Sequence, residues 1–407
     1  MNSVRTERYI SKLLLLYFLA LFFYGVIIKV TFSNPVLFRI KTYVPELLLA
    51  CVCMCCLCKP IKVWQSSFLM MADVIFVLVL NIFTSFSASS ALMTVRDVFI
   101  PLMTGVLLCG IKLSDYEGKW FLNKLSLICM IALVCGLVLG VFQYIKGWQW
   151  TSAWYTGYSF WGEDKRSSLY IMGNGLHVRV PSIVGHNVKF GMYSFFQYLI
   201  IACNENNNVH ERSGLKKCIF AIIMLTNIYI SNNKTTIVIV FILLTIWAVN
   251  KFEKHSKIII LCFAIVCGIY VYIEILSSSE FMLSFYDRFS KWSVLKDPNL
   301  LKNILVPIST YNFAGNSETE ISVLNYWDNT YLYFLFSFGI IGTVLVISWL
   351  KTLYNQANSI NHSIVFYLTI FAAIAAATTS IVLGRCFFSI YVIMMAYMAA
   401  IKRGQNK

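Results

Sequence analysis

Acidic residues are scarce in this chain: 18 Asp and Glu stand among 407 residues, against 33 Lys and Arg. Histidine occurs only five times, so a metal site built from imidazoles has few ligands to draw on. Charged residues of either sign make up 13% of the chain against 59% hydrophobic ones, and the mean hydropathy is +0.72. That balance excludes a water-soluble domain of this length, because too little polar surface exists to cover it. The apolar runs also lack the ten-residue alternation of a barrel, so backbone groups in lipid must pair within helices. The expected fold class is all-α, a polytopic transmembrane helical bundle. Absent as well are a basic stripe, a nucleic-acid motif, a low-complexity tract, an internal repeat and a soluble appendage. The net charge of +15 is spread over short connections, which fits membrane insertion and attraction to anionic lipid and excludes nucleic acid as a partner. One integral-membrane domain over residues 1–407 is expected.

What the chain does have is about twelve apolar stretches, read as spans near 13–30, 43–58, 68–86, 97–111, 125–145, 188–203, 218–230, 235–250, 258–276, 327–350, 364–383 and 386–401. The first is too long, and lacks the small-residue cleavage site, to be a removable signal peptide, so it is expected to remain as an anchor. With the N-terminus inside, the inner segments carry 18 Lys and Arg on 74 residues, whereas the outer segments carry 13 on 120. That difference in density orients both termini to the cytoplasm. Two sizeable polar segments remain, 146–187 and 277–326, and both fall on the outer side. Neither contains any of the 13 cysteines, so no disulfide framework holds them. The cluster Cys51, Cys53, Cys55, Cys56 and Cys58 resembles a metal site by number, but no histidine accompanies it and thiolates there would be buried in lipid. Small apolar packing residues are the expected role.

The first outer segment is dense in aromatics, including Trp148, Trp150, Trp154, Tyr155, Tyr158, Trp161 and Tyr170. Such rings serve as an interfacial belt or as a stacking floor for sugars, and the two uses are compatible. The same segment holds Arg166 and closes with RVPSIVGHN, in which Pro181 and Gly185 predict a turn carrying Arg179, His186 and Asn187 to the mouth of the next helix. A helix start with nearby cations suits an anionic group such as phosphate. The second segment is amphipathic, with Arg288, Lys291, Lys296 and Lys302 among Phe, Trp and Leu, as expected of a stretch lying at the headgroup plane. Arg288 stands out because a guanidinium grips two phosphate oxygens at once. Asp328 and Asn329 then open a helix, where local logic makes Asp328 an N-cap. Lys234, in the polar break SNNKTT, and Arg385, after Gly384, interrupt apolar context and are candidate substrate contacts or snorkelling cations. Among the acids near spans, Glu46, Asp73 and Asp97 are candidates for a proton path, with Asp97 expected to pair with Arg96 at the membrane surface.

The order and sidedness of RVPSIVGHN, SNNKTT and DNTYLYFLFSFGIIG, set in about twelve spans, resemble the O-antigen polymerase group. These motifs occupy some forty residues of the chain, and the group belongs with the O-antigen ligases in a wider superfamily. The resemblance implies a GT-C-like membrane glycosyltransferase of the bacterial inner membrane, acting at the periplasmic face without metal or cofactor. Its implied partners are undecaprenyl-pyrophosphate-linked oligosaccharides and membrane lipids, with a chain-length regulator and a flippase beside it. Arg179 takes the place of the arginine before the sixth helix. Lys234 stands where the group often has Ser-x-Ser-Arg, keeping the charge and losing the fork. Asp328 precedes the Tyr-Leu helix with Gly339 and Gly342, where ligases usually carry histidine.

The implied reaction moves a glycan from pyrophosphate to a sugar hydroxyl. It therefore needs cations on the leaving group, with Arg179, Arg288, Arg385 and Lys234 the candidates. It also needs a base for the hydroxyl, Asp328 first and His186 second. Arg166, Trp154, Trp161, Asn187 and Asn329 are expected substrate contacts. Two alternatives are an O-antigen ligase with lipid A-core as acceptor, and a polyprenyl-glycan flippase or transporter.

Overall fold

Runs of apolar residues broken by Gly, Pro and Asn give helices throughout. The computed structural model describes residues 2–31, 34, 36–37, 43–84, 95–154, 179–204, 210–251, 329–378, 381 and 387–405, and no strand occurs among them. In chain order the helices are α1 (Asn2–Phe22), α2 (Tyr24–Thr31), α3 (Val44–Leu57), α4 (Gln65–Thr84), α5 (Ile100–Gly110), α6 (Asp115–Trp154), α7 (Asn187–Cys203), α8 (His210–Ser231), α9 (Lys234–Lys251), α10 (Thr330–Asn358), α11 (His362–Thr378) and α12 (Phe387–Gln405). A π-helical turn, Val95–Phe99, leads into α5, and a 3-10 turn, Ser182–Val184, precedes α7.

Four helical stretches are long and apolar enough to cross a membrane: Asp115–Gly147, Gly214–Ser231, Ser337–Asn358 and Phe387–Gln405. Val4–Phe22 with Tyr24–Thr31 makes a fifth if the pair, bent by 75°, is one span. Shorter apolar helices cover Val44–Leu57, Gln65–Leu80, Lys234–Trp247 and His362–Ala377. The expectation of about twelve spans goes beyond this count. Expected span 258–276, segment 277–326 and residues 155–178 of the first polar segment lie outside the described residues. The first polar segment does not begin as a loop at 146, because α6 runs on to Trp154 past a break at Gly147 (φ 78°, ψ −174°). Thr151 Oγ1 bonds the Gly147 carbonyl at 2.9 Å and holds that extension in place.

The core is built by α12, whose residues from Phe387 to Ile401 are all buried, packed among α5, α10, α11, α6 and α7. Aromatic stacking joins the layers: Phe195 lies flat on Phe371 at 4.5 Å, and Phe371 meets Phe387 at 4.7 Å. Such pairs add about 0.5–1.5 kcal/mol beyond their buried area.

Polar contacts collect at the two ends. At one end Glu7 pairs with Lys59 at 2.7 Å and accepts from the Ser114 N–H, while Arg8 pairs with Glu117 at 3.1 Å. Asn204 bonds Asn123, Asn361 bonds the Cys203 carbonyl, and the Arg403 guanidinium donates to the Lys62 and Gly110 carbonyls. The first turns of α1 and the last turn of α12 therefore meet at one end, together with segments that the charge count groups on one side. The expected ion pair of Arg96 and Asp97 forms, with contacts of 2.8 and 3.0 Å, and its carboxylate is packed inside the protein. Asp97 retains 4% exposure, because the π-turn carries it in against α3 and α12 beside Glu46, Tyr17 and Ser389.

Candidate functional site

RVPSIVGHN forms a buried elbow against the second half of α6, at Gly136 and Gln143. Pro181 ends the extended approach and Ser182 takes a positive φ of 46°, which costs a non-glycine residue about 1–3 kcal/mol. Two bonds to α6 hold it there. The Ser182 N–H donates to Gln143 Oε1 at 2.9 Å, and its hydroxyl donates to the Gly136 carbonyl at 2.6 Å. Gly185 closes the turn at φ 80°, a left-handed conformation that glycine adopts without penalty. It also lies flat on Gly25 of α2. A Cβ at position 25 would stand 2.5 Å from the Gly185 nitrogen and 2.8 Å from the Ile183 carbonyl oxygen. The bend between α1 and α2 thus brings a glycine onto a glycine.

SNNKTT interlocks with this elbow. The Val180 N–H bonds the Ile230 carbonyl at 3.1 Å, and Asn233 Nδ2 donates to the Val188 carbonyl at 3.0 Å. Gly191 of α7 leaves room for Ser231 and Asn233. Asn232 has φ 47°, which asparagine tolerates better than most residues. Among the described residues Ser182 and Asn232 are the only non-glycine positions with positive φ, one in each motif.

These backbones fix the candidate side chains. Arg179 is half-buried immediately before the elbow, next to the bond that ties Val180 to α8. His186 is the N-cap residue of α7 in extended conformation, and its side chain makes no capping bond. Burial of the ring pushes the His186 pKa down to about 3, with the Lys189 charge adding to the effect. A neutral imidazole of that kind accepts or donates hydrogen bonds but is a weak proton acceptor near neutral pH. Asn187 is buried in the first turn of α7. Lys234 is half-buried at the start of α9, one residue after the Asn233 bridge. Trp154 packs on Trp150 at 5.3 Å, and the Lys29 ammonium of α2 lies 5.3 Å from its ring centre. In the sequence Lys29 is no more than a charge at the end of a span. Only the bend after Phe22 brings it beside the tryptophans, a tertiary effect without a local sequence signal.

Asn329 stands at the start of α10 and is its N-cap. Its Oδ1 accepts from the Tyr331 and Leu332 N–H groups at 3.0 and 3.1 Å, and its Nδ2 donates to the Ala377 carbonyl at 3.1 Å. The capping role open to Asp328 is therefore filled by its neighbour. Thr330 Oγ1 accepts from the Ile381 N–H at 2.9 Å, and the Ile381 carbonyl accepts from Phe388, so the start of α10 is tied to the ends of α11 and α12. Arg166, Trp161, Arg288, Asp328 and Arg385 lie outside the described residues. The elbow thus gathers Arg179, His186, Asn187 and Lys234, with Trp154 and Lys29 on its α2 side.

Among the described residues no group of three His, Cys, Asp or Glu side chains is arranged to hold a metal ion. Cys53 instead meets Thr104 Oγ1 at 3.2 Å between α3 and α5. No family model, curated protein or solved structure matches the chain.

Proposed function

We propose that this chain polymerises lipid-linked oligosaccharide repeat units at the outer face of a bacterial inner membrane, as a metal-independent membrane glycosyltransferase with about twelve spans and cytoplasmic termini. The observation that carries the reading is the pair of positive φ angles at Ser182 and Asn232, one in each motif, with strain at the serine. Strain held by surrounding bonds clusters where side chains must be aimed. What it aims here is Arg179, Asn187 and Lys234, a cationic and amide-rich mouth at a helix start, suited to a pyrophosphate leaving group. The tryptophans and Lys29 beside it suit a sugar attached to that phosphate. His186, with its disfavoured imidazolium, is left to orient a hydroxyl, so the proton-accepting role passes to Asp328.

Asp328→Asn tests the assignment. Capping of α10 rests on Asn329 and is untouched by the change. A lost base should lower the rate by about 100-fold or more. In a host lacking its own polymerase, the polysaccharide ladder should collapse to a single repeat with the variant expressed normally. A normal ladder removes Asp328 from the reaction.

A second reading, a secondary transporter for polyprenyl-linked glycan, is favoured by one observation. Helix α10 is broken at Gly339, with the Asp73 carboxylate against the residue one turn later, and discontinuous helices with mid-span charges characterise such proteins. Accumulation of unpolymerised repeat units on the inner side of the membrane in a deletion strain would support transport over polymerisation.

A further inference from the structure

Asp73 is the one ionisable residue of α4, a helix otherwise of the composition QSSFLMMA-VIFVLVLNIFT. Its Oδ2 is buried and makes no hydrogen bond. The helix chiefly packed against α4 is α10, with α5 over a shorter length. From Leu335 to Trp349 α10 carries no ionisable residue, and α5 carries only the buried Cys109 thiol. The nearest cation on α10 is the exposed Lys351, nine residues beyond Gly342, and none lies on α4 or α5, so a charge at Asp73 has no cation beside it on these helices, and burial without one disfavours the ionised form.

The carboxylate has a seat made for it. Gly339 leaves the helical region at φ 69° and ψ 179°, which divides α10 into two half-helices. Gly342 lies in the first turn of the second half, and a Cβ there would collide with Asp73 Oδ2. Glycine at 342 thus admits the acid to the backbone, one turn beyond the break. The first N–H groups of a helix lack intrahelical acceptors and carry partial positive charge, so they attract a carboxylate more than a carboxylic acid.

We infer that Asp73, seated on Gly342 at the break in α10, is a proton-binding site whose occupancy is coupled to the bend of that helix. The ligand is a proton and not a sodium ion, because one carboxylate against a glycine is not the oxygen cage that a metal cation needs. Uptake forms the O–H bond of a neutral acid and removes the attraction to the N–H groups of the second half-helix. Release restores that attraction. The site lies on α4 and α10, away from the elbow of Ser182, and the inference is independent of the glycan reading.

Infrared spectroscopy of the full-length protein in lipid nanodiscs tests it. A protonated carboxyl band should be present, change in intensity as pH is varied, and vanish in Asp73→Asn. Gly342→Ala keeps the acid but fills its seat, so the band should persist with an altered titration midpoint. Spin labels at Tyr331 and Ile347, either side of the break, should report a distance that changes with pH in the parent protein and is fixed in Asp73→Asn. Absence of any band dependent on Asp73 overturns the site. An identical pH response of the label distance in Asp73→Asn overturns the coupling.

Discussion

Gly25→Ala isolates the contact that seats the elbow. In an exposed helix the change would help, because alanine is favoured over glycine by about 1 kcal/mol. Here the added Cβ meets backbone on three sides: the Gly185 nitrogen at 2.5 Å, its Cα at 2.8 Å and the Ile183 carbonyl oxygen at 2.8 Å. None of these is the end of a flexible side chain, so α2 and the elbow must separate by roughly an ångström to reach ordinary contact, at a cost of about 1–3 kcal/mol. The larger effect is positional. Arg179 and His186 flank the displaced turn, and a shift of about 1 Å in groups that hold a substrate can lower rate by about 100-fold. Gly214→Ala is the control, since a methyl group added at Gly214 in α8 would meet nothing within 4 Å and should raise stability slightly. The assay pairs polysaccharide ladder length with the thermal midpoint of detergent-solubilised protein. Gly25→Ala should shorten the ladder strongly while lowering the midpoint by only a few degrees. Equal behaviour of Gly25→Ala and Gly214→Ala would refute the seating of the elbow by α2.

Three further outcomes are expected. Arg179→Lys should impair polymer formation strongly despite the retained charge, because lysine cannot bridge two phosphate oxygens; a full ladder would make Arg179 a packing residue. Asn329→Ala removes two capping bonds and the link to Ala377, so thermal stability should fall by about 1–2 kcal/mol, whereas Asn329→Asp should recover the cap but not the Ala377 bond. His186 is held neutral when folded, with its pKa lowered from 6.5 to about 3, so the unfolded chain takes up a proton first as pH falls. Its stabilising contribution is complete above pH 6.5 and declines towards pH 3, by about 1.4 kcal/mol per pH unit; His186→Gln should flatten the thermal midpoint over that window.

Helix existence is legible wherever an apolar run ends on strong local signals. The stretch expected at 43–58 is Val44–Leu57, with Pro45 in its first turn and Lys59-Pro60 just beyond. The span expected at 188–203 is Asn187–Cys203, entered through the predicted turn. Three features escape the sequence because their causes are tertiary. The bend after Phe22 has no proline at it; it allows Gly25 to reach Gly185, which lies 160 residues away in sequence. The burial of Asp97 follows from a π-turn that no local pattern announces, packed into the first turns of α3 and α12. Gly147 and Gly339 read as glycines within apolar context, and their side of the Ramachandran map becomes visible only in the structure.

The same division runs through the candidate site. Residue types suited to phosphate and sugar are legible in RVPSIVGHN and SNNKTT, since charge, amide and turn formers announce themselves. How the two motifs join is not, because it rests on single bonds between distant segments, one backbone bond from Val180 to Ile230 and one from the Asn233 amide side chain to the Val188 carbonyl. Asn329 shows why adjacency misleads: Asp and Asn are equally good caps by propensity, and only the Ala377 carbonyl selects the asparagine here. That choice matters for chemistry. A carboxylate spent on capping would have its oxygens committed to N–H donors, which lowers its capacity to take a proton. With the side chain of Asn329 satisfying the helix start, capping of α10 does not call on a carboxylate. A carboxylate not spent on capping keeps its lone pairs for a proton, so the proposed base is tested at Asp328→Asn, a change that leaves the Asn329 cap in place.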